Sequence, residues 1–389
     1  MRRLPTFPII LSGFTAFLDL YATQPLLPLL ARTFNSTNLG VSLTITAPTM
    51  AVAIAAPFVG WLADRIGLRR VIVGSAFVLT VATALAATSA TLSQLVFWRF
   101  LQGLATPGIF AIALAYIHEE WPASRVGRTT ALYVSGTVVG GFTGRAVAGV
   151  MAADVTWEMS FVALAVLNLL AASALWAWLP TEQRASRAPK RSGSFGAHFK
   201  HPQLLATYAV GFCVLCSQVA MFTYVPFPLA APPYNLSSAA LGSIFAVYLV
   251  GAIVTPFAGH FIDAYGPRVA FSAAVGLGVT GALLTVLRPL PIIIAGLSVF
   301  ATAIFIAQSS ATSHVGANAV QDRGLAIGLY SSFYYLGGSA GGAIPALAWS
   351  RGGWRACVAL IVSVQLIMLA IVLLTWSKRA EPHAEPAPV

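Results

Sequence analysis

The sequence predicts an all-α membrane protein: twelve transmembrane helices in two pseudo-symmetric six-helix bundles. Three observations lead there. Of 389 residues, 58% are hydrophobic and only 8% charged, too few charges to wet a soluble surface of that size. Apolar runs of roughly 20 residues recur along the whole chain, each about enough to cross a bilayer core as a helix. The runs are continuous rather than alternating, which points to helices and away from a barrel, and landmarks of the first half return in the second.

Spans are expected near residues 7–32, 39–63, 71–89, 92–117, 128–150 and 159–179 in the first half. Those of the second half fall near 204–230, 239–262, 269–287, 290–313, 325–348 and 356–376. The opening Met1-Arg2-Arg3 imitates a secretory signal, but the run behind it is too long, contains Asp19 and lacks a small-residue cleavage site. It is kept as the first span. Residues 181–203, rich in charge, Ser, Gly and Pro, form the expected linker between the bundles 1–180 and 204–379, and 380–389 reads as a disordered tail.

The net charge of +11 invites a nucleic-acid partner, but its distribution argues for a membrane. Sixteen of the 22 Lys and Arg fall in segments that alternate as one face of a bilayer, from Arg2, Arg3, Arg65, Arg69 and Arg70 to Lys378 and Arg379. Only Arg32, Arg288, Arg351 and Arg355 fall opposite. This bias places both termini in the cytoplasm. Cys213, Cys216 and Cys357 are too few for a disulfide scaffold and read as packing residues.

Two stretches repeat. GWLADRIGLR, Gly60 to Arg69, matches GHFIDAYGPR, Gly259 to Arg268, each at the end of a second span of its half. GRTTALY with Gly140-Gly141 matches GLAIGLY with Gly337-Gly338, and Trp157 matches Trp354 at that same offset of 197. Two parallel repeats about an axis along the membrane normal place a substrate site between the halves.

With these motifs the chain resembles the major facilitator superfamily over essentially its full length. Gly60, Asp64, Arg65, Gly67 and Arg69 resemble the family's signature between helices two and three, and Arg99-Phe-Leu-Gln102-Gly103 its fourth-helix motif. Gly136, Gly140, Gly141, Gly144 and Gly149 resemble the glycine-rich fifth helix associated with antiporters. Asp19 with Gln24-Pro25 and Pro28 is similar to the first helix of drug:proton antiporters. The resemblance implies alternating access, with helices one and four lining the central cavity and Asp64 latched to helix eleven near Gly324.

Asp19 is the one acid expected at bilayer depth, where an isolated carboxylate needs a partner or a task. At about 1.5 Å of rise per residue, Asp19, Arg99 and Arg145 reach one middle layer, so a cluster of one acid and two bases is expected. Its functional reading is proton coupling; the competing reading is a fixed ion pair that pins helix packing. At the cytoplasmic gate, Asp64 can cap a neighbouring helix, while Arg65, Arg69 and Arg70 can pair with Glu119 or Glu120, and Asp263 and Arg268 form the degenerate second copy. Tyr21, Gln24, Gln218, Tyr224, Tyr248, Gln308, Tyr330 and Tyr334 are the candidate substrate lining, with Tyr116 beside them; each could equally be a helix–helix hydrogen bond. Asn35-Ser-Thr37 and Asn235-Leu-Ser237 match glycosylation acceptors, and Gly337 to Gly342 is read as helix packing.

The sequence thus predicts a proton-coupled secondary transporter exporting small amphipathic organic compounds from a bacterial inner membrane. Its partners are a small-molecule substrate, protons and the lipid bilayer; a monomer is expected, with no cofactor, metal or nucleic acid. The alternative is an organic-anion carrier using Arg99 and Arg145. No GxxxxGK[ST] or HExxH occurs, and the GxSxG spacing of Gly337, Ser339 and Gly341 falls inside the apolar run read as helix packing, which argues against an ATP-driven pump or an embedded enzyme.

Overall fold

The structure, a computed structural model, describes residues 5–182, 202–318 and 323–376. The expected linker lies almost wholly outside the described residues, and the expected tail lies outside them entirely. In the first half, α1 (Phe7–Leu18) and α2 (Leu27–Thr33) share span one; α3 (Asn38–Ile66), α4 (Leu68–Ala86) and α5 (Leu92–Glu120) are spans two to four. Spans five and six are α6 (Ala123–Asp154) and α7 (Trp157–Trp178). In the second half, span seven is α8 (Pro202–Tyr224) with α9 (Pro226–Ala230), and span eight is α10 (Ser238–Ile244) with α11 (Val247–Tyr265). Then come α12 (Pro267–Leu284), α13 (Leu290–Asn318), α14 (Arg323–Ala343) and α15 (Pro345–Thr375). α15 joins the end of span eleven to span twelve through a kink at Gly352-Gly353, where Gly353 has φ +59°.

Span one is therefore not the continuous helix expected over 7–32. Pro25 has no N–H, and in an unbroken helix its ring would strike the carbonyl of Tyr21. The chain between α1 and α2 tightens instead into three-residue turns, with Ala22 N on Asp19 O at 3.0 Å, Gln24 N on Tyr21 O at 3.1 Å and Leu26 N on Thr23 O at 2.9 Å. Span eight tightens into similar three-residue turns at Phe245-Ala246, and span seven is interrupted at Val225, just before Pro226.

The internal repeat extends to main-chain detail. Gly67 and Gly266 both sit at positive φ (+97° and +83°), the conformation glycine adopts without Cβ strain. Asn35 and Asn235 both adopt left-handed backbone, and the hydroxyls of Thr37 and Ser237 then cap the next helix by accepting from Gly40 N and Ala240 N. The glycosylation-like sequence pattern has this local explanation. Arg69 donates to the carbonyls of Leu179 (2.6 Å) and Trp176 (2.5 Å), and Arg268 to those of Trp376 (3.0 Å) and Leu373 (2.7 Å). Each arginine caps the last helix of its own half, satisfying carbonyls that a helix end leaves open.

Glycine ladders let the first span of each half lie against the fifth. A Cβ at Gly140 or Gly144 would stand 2.2 Å from Phe14 O or 1.7 Å from Leu18 O. In the second half, a Cβ at Gly337 or Gly341 would stand 1.9 Å from Phe212 O or 2.3 Å from Cys216 O. The two halves then meet along one end of the molecule, the end carrying Asn35 and Asn235, called here the distal side. Ser339 Oγ donates to Thr46 O (2.8 Å), Tyr224 OH to Ser42 Oγ (3.3 Å), and Gly149 and Gly242 bring α6 and α10 into backbone contact. At the other end, the basic side carrying Gly67 and Gly266, a Cβ at Gly127, Gly259 or Gly328 would meet open space.

Overpacking a close helix crossing costs about 1–3 kcal/mol or more. Gly144→Ala is therefore expected to lower the melting temperature in detergent by several degrees and to reduce monodisperse yield. Gly127→Ala should leave both unchanged, as thermal melts read beside size exclusion will show.

Candidate functional site

The sealed distal side leaves a cavity of about 400 Å³ between the halves. Tyr21, Arg145, Gln218, Tyr248, Gln308, Tyr330 and Tyr334, named from sequence, all line it. So do Phe110, Tyr133, Phe142, Phe305 and Tyr335, which sequence reasoning missed. Aromatics on helices usually pack in cores, so nothing in their spacing marked these as cavity walls. Two polar contacts order the lining: Tyr330 OH donates to Gln308 Oε1 (2.8 Å), and Gln218 Nε2 to Tyr248 OH (3.4 Å).

Arg145 is the sole charged residue among the described lining residues. It is 5% exposed, donates from Nε to Gln24 Oε1 (2.8 Å) and from Nη1 to Gly141 O (2.7 Å). Its guanidinium carbon lies 5.1 Å from the Tyr21 ring centre, 4.8 Å from Phe245 and 5.1 Å from Tyr248, within cation–π range. Gln24 in turn donates from Nε2 to Thr223 Oγ1 at 3.2 Å, joining the breaks of spans one and seven. Gln24 thus bridges the halves rather than lining the cavity.

Asp19 faces the other way. Its Oδ2 receives Asn168 Nδ2 (2.6 Å) from α7 and lies 2.8 Å from Thr83 Oγ1 on α4, while Oδ1 accepts no hydrogen bond among the described residues. Arg99, fully buried, does not grip that carboxylate. It donates to the main-chain carbonyls of Asp19 (2.8 Å), Leu20 (2.6 Å) and Thr44 (2.9 Å), and to Gln102 Oε1 (2.5 Å). Gln102 Nε2 reaches Thr83 Oγ1 at 2.9 Å and closes the network.

The expected three-charge cluster is therefore divided. Asp19 and Arg99 share the core of the first half, while Arg145 stands in the cavity, separated from them by the break of span one. Thr83 and Asn168 were missed; a polar residue within an otherwise apolar span was the available signal. Tyr224 also differs from expectation, since its hydroxyl belongs to the distal seal. Tyr116 donates to Pro180 O (2.8 Å) at the basic end and not to the cavity.

At that end, Asp64 is exposed and makes no hydrogen bond among the described residues, and Arg65 lies over the Trp61 ring at 3.8 Å. Arg69 caps α7 instead of turning those donors to Glu119 or Glu120, and its own N–H donates to Glu182 Oε2 at 3.3 Å. Glu182 thus sits at the start of α4, where a negative charge suits the helix dipole. Gly60 and Arg70 flank this loop on α3 and α4, Arg268 holds the equivalent cap in the second half, and Asp263 stands near the end of α11.

Comparison with known proteins agrees with this architecture. The sequence profile of the Major Facilitator Superfamily matches residues 9–319 and 227–389. The inner membrane transport protein YnfM of Escherichia coli (strain K12) is 31% identical over 377 residues, covering 96% of this chain and 89% of that protein. The uncharacterized MFS-type transporter YybF of Bacillus subtilis (strain 168) is 31% identical over 368 residues, covering 94% and 91%. Among solved structures, the nucleoside transporter NupG superposes with a TM-score of 0.79 at 12% identity, covering 96% of this chain and all of that one. The human organic anion transporter MFSD10 superposes with a TM-score of 0.72 at 18% identity, covering 94% and 98%. At such identities the structural likeness shows the fold alone.

Removing the Arg99 side chain would take its donors from the carbonyls of Leu20 and Thr44 and leave Asp19 O with Ala22 N alone, and each buried unsatisfied polar group costs about 1–3 kcal/mol. Arg99→Ala is expected to lose most folded protein, whereas Arg145→Ala should retain a wild-type elution profile. Fluorescence-detected size exclusion will separate the two outcomes.

Proposed function

Because the chain belongs to the Major Facilitator Superfamily, we propose that this membrane transporter is proton-coupled and exports small amphipathic organic compounds by alternating access. We place it in a bacterial inner membrane with both termini cytoplasmic, following the positive-inside bias. On that orientation the structure is open to the cytoplasm and closed outside. Aromatic walls with a few polar handles suit an amphipathic cargo.

The observation that carries proton coupling is the setting of Asp19. Thr83 has one hydroxyl proton and two acceptors at 2.8 Å, Leu79 O and Asp19 Oδ2. When the hydroxyl points to Leu79, the Asp19 contact is satisfied only if the carboxyl carries the proton and donates it. When the carboxylate is charged, Thr83 turns towards it, with Arg99 as the nearby balancing cation. The site can thus hold either state with small local rotations.

Coupling to cargo runs through residues 19–24. Asp19 opens this segment on the face towards α4 and α7; Tyr21 and Gln24 leave it on the side of Arg145 and the cavity. Protonation behind the segment and cargo binding in front of it act on the same short stretch of backbone. In the outward-closed state, the freed loop at Asp64 and Arg65 represents the inner latch released.

Asp19→Asn keeps the size and both hydrogen-bond contacts but cannot exchange a proton. In proteoliposomes it is expected to abolish transport driven by an imposed pH gradient while preserving folding and counterflow exchange. Gradient-driven flux equal to wild type would overturn proton coupling at this residue.

A further inference from the structure

We infer that the cargo is an aromatic organic anion whose negative group docks on Arg145 in place of Gln24. This rests on reading the cavity between the halves as the transport site and deepens it by naming the substrate class. Arg145 is almost fully buried, and both of its hydrogen-bond partners, Gln24 Oε1 and Gly141 O, are neutral. No acid lines the cavity among the described residues. Asp19, the acid of the first-half core, is turned to Thr83 and Asn168 on the far side of span one. A guanidinium held in low dielectric without a counter-charge is costly, and three aromatic faces offset only part of that cost. A cargo that supplies the missing negative charge is the favoured occupant.

The geometry also says how it would bind. Nη2 makes no hydrogen bond among the described residues, while Nε is held by Gln24. A carboxylate or sulfonate accepting from the Nε–Nη2 edge would form the bidentate pair that guanidinium geometry favours, and it would displace the Gln24 amide. Ring-shaped cargo fits the walls, because Phe17, Phe110, Phe142, Phe305 and Tyr334 present flat apolar faces around about 400 Å³. Displacement of Gln24 carries a signal, since that same side chain donates to Thr223 across the halves. Anion binding therefore withdraws one bond from the distal seal.

Three probes that share one naphthyl ring test this in the purified full-length protein: 2-naphthoate, its isostere 2-naphthamide and the cation 2-naphthyltrimethylammonium, each titrated by calorimetry at pH 7.5. The wild-type protein is expected to bind naphthoate about tenfold or more tightly than either other probe, the loss in the amide reflecting one charge-assisted contact. Arg145→Gln should remove that preference while leaving naphthamide binding intact, which also certifies its fold. Gln24→Glu, which places a resident carboxylate on Arg145, should remove it too without touching the arginine. Equal binding of amide or cation by the wild type, absence of naphthoate binding, or preference surviving in both variants would overturn the inference. Asp19→Asn separates the two readings. If it binds naphthoate normally and loses gradient-driven transport, both stand. If its transport is unimpaired, proton coupling fails and anion recognition stands. If wild-type protein exports a cationic dye on a pH gradient but ignores naphthoate, coupling stands and anion recognition fails.

Discussion

The break of span one is held by Arg99 together with the main-chain turns between α1 and α2. In an apolar interior a carbonyl without a donor costs several kcal/mol, and no water is at hand to supply one. Arg99 delivers donors to the carbonyls of Asp19 and Leu20 on one strand of chain and Thr44 on the next, fixing span one to span two from a position on span four. The broken backbone then turns the Asp19 carboxylate towards α4 and α7 and leaves Tyr21 and Gln24 on the cavity side. Without that hold, acid and cavity would have no common mechanical part.

The two halves share a scaffold but not a chemistry. Glycine ladders, positive-φ loop glycines, left-handed asparagines and arginine caps recur in both. The register pairing Phe14 with Phe212 puts Ser217 at the place of Asp19, and Gln365 stands 197 residues after Asn168. Gln365 is buried over Gly278 and neither of its amide atoms finds a partner in the described residues. The first half thus keeps an acid, a base and their neutral relays where the second keeps one amide. Among the described residues, this asymmetry on a symmetric frame confines the buried carboxylate and the buried guanidinium groups to one bundle.

Much of this was legible in the sequence. Apolar length, flanking charge and the Gly60–Arg69 repeat fix the spans and the superfamily architecture, and the seven cavity residues named from sequence follow from polarity on lining helices. The breaks were less legible, although Pro25 and Pro226 mark them. The partners of Arg99 and Arg69 were not legible for one physical reason: both recognise main-chain carbonyls, which every residue carries and which leave no imprint in side-chain identity. Charge counting groups Asp19, Arg99 and Arg145 by depth along the membrane normal. Depth says nothing of azimuth, and the bend of span one decides which way each one faces.

Arg69 and Arg268 tie the final helix of each half back to the loop between its second and third helices, closing the described part of each bundle on itself. Torque applied at one point of such a closed frame is transmitted around it rather than absorbed by fraying. The molecule is then suited to rocking as two stiff pieces, with compliance concentrated where helices one, seven and eight are jointed. Motion of such a frame becomes a problem in hinges and levers, with Pro25 and Pro226 marking two of the joints and Arg99 bracing the first.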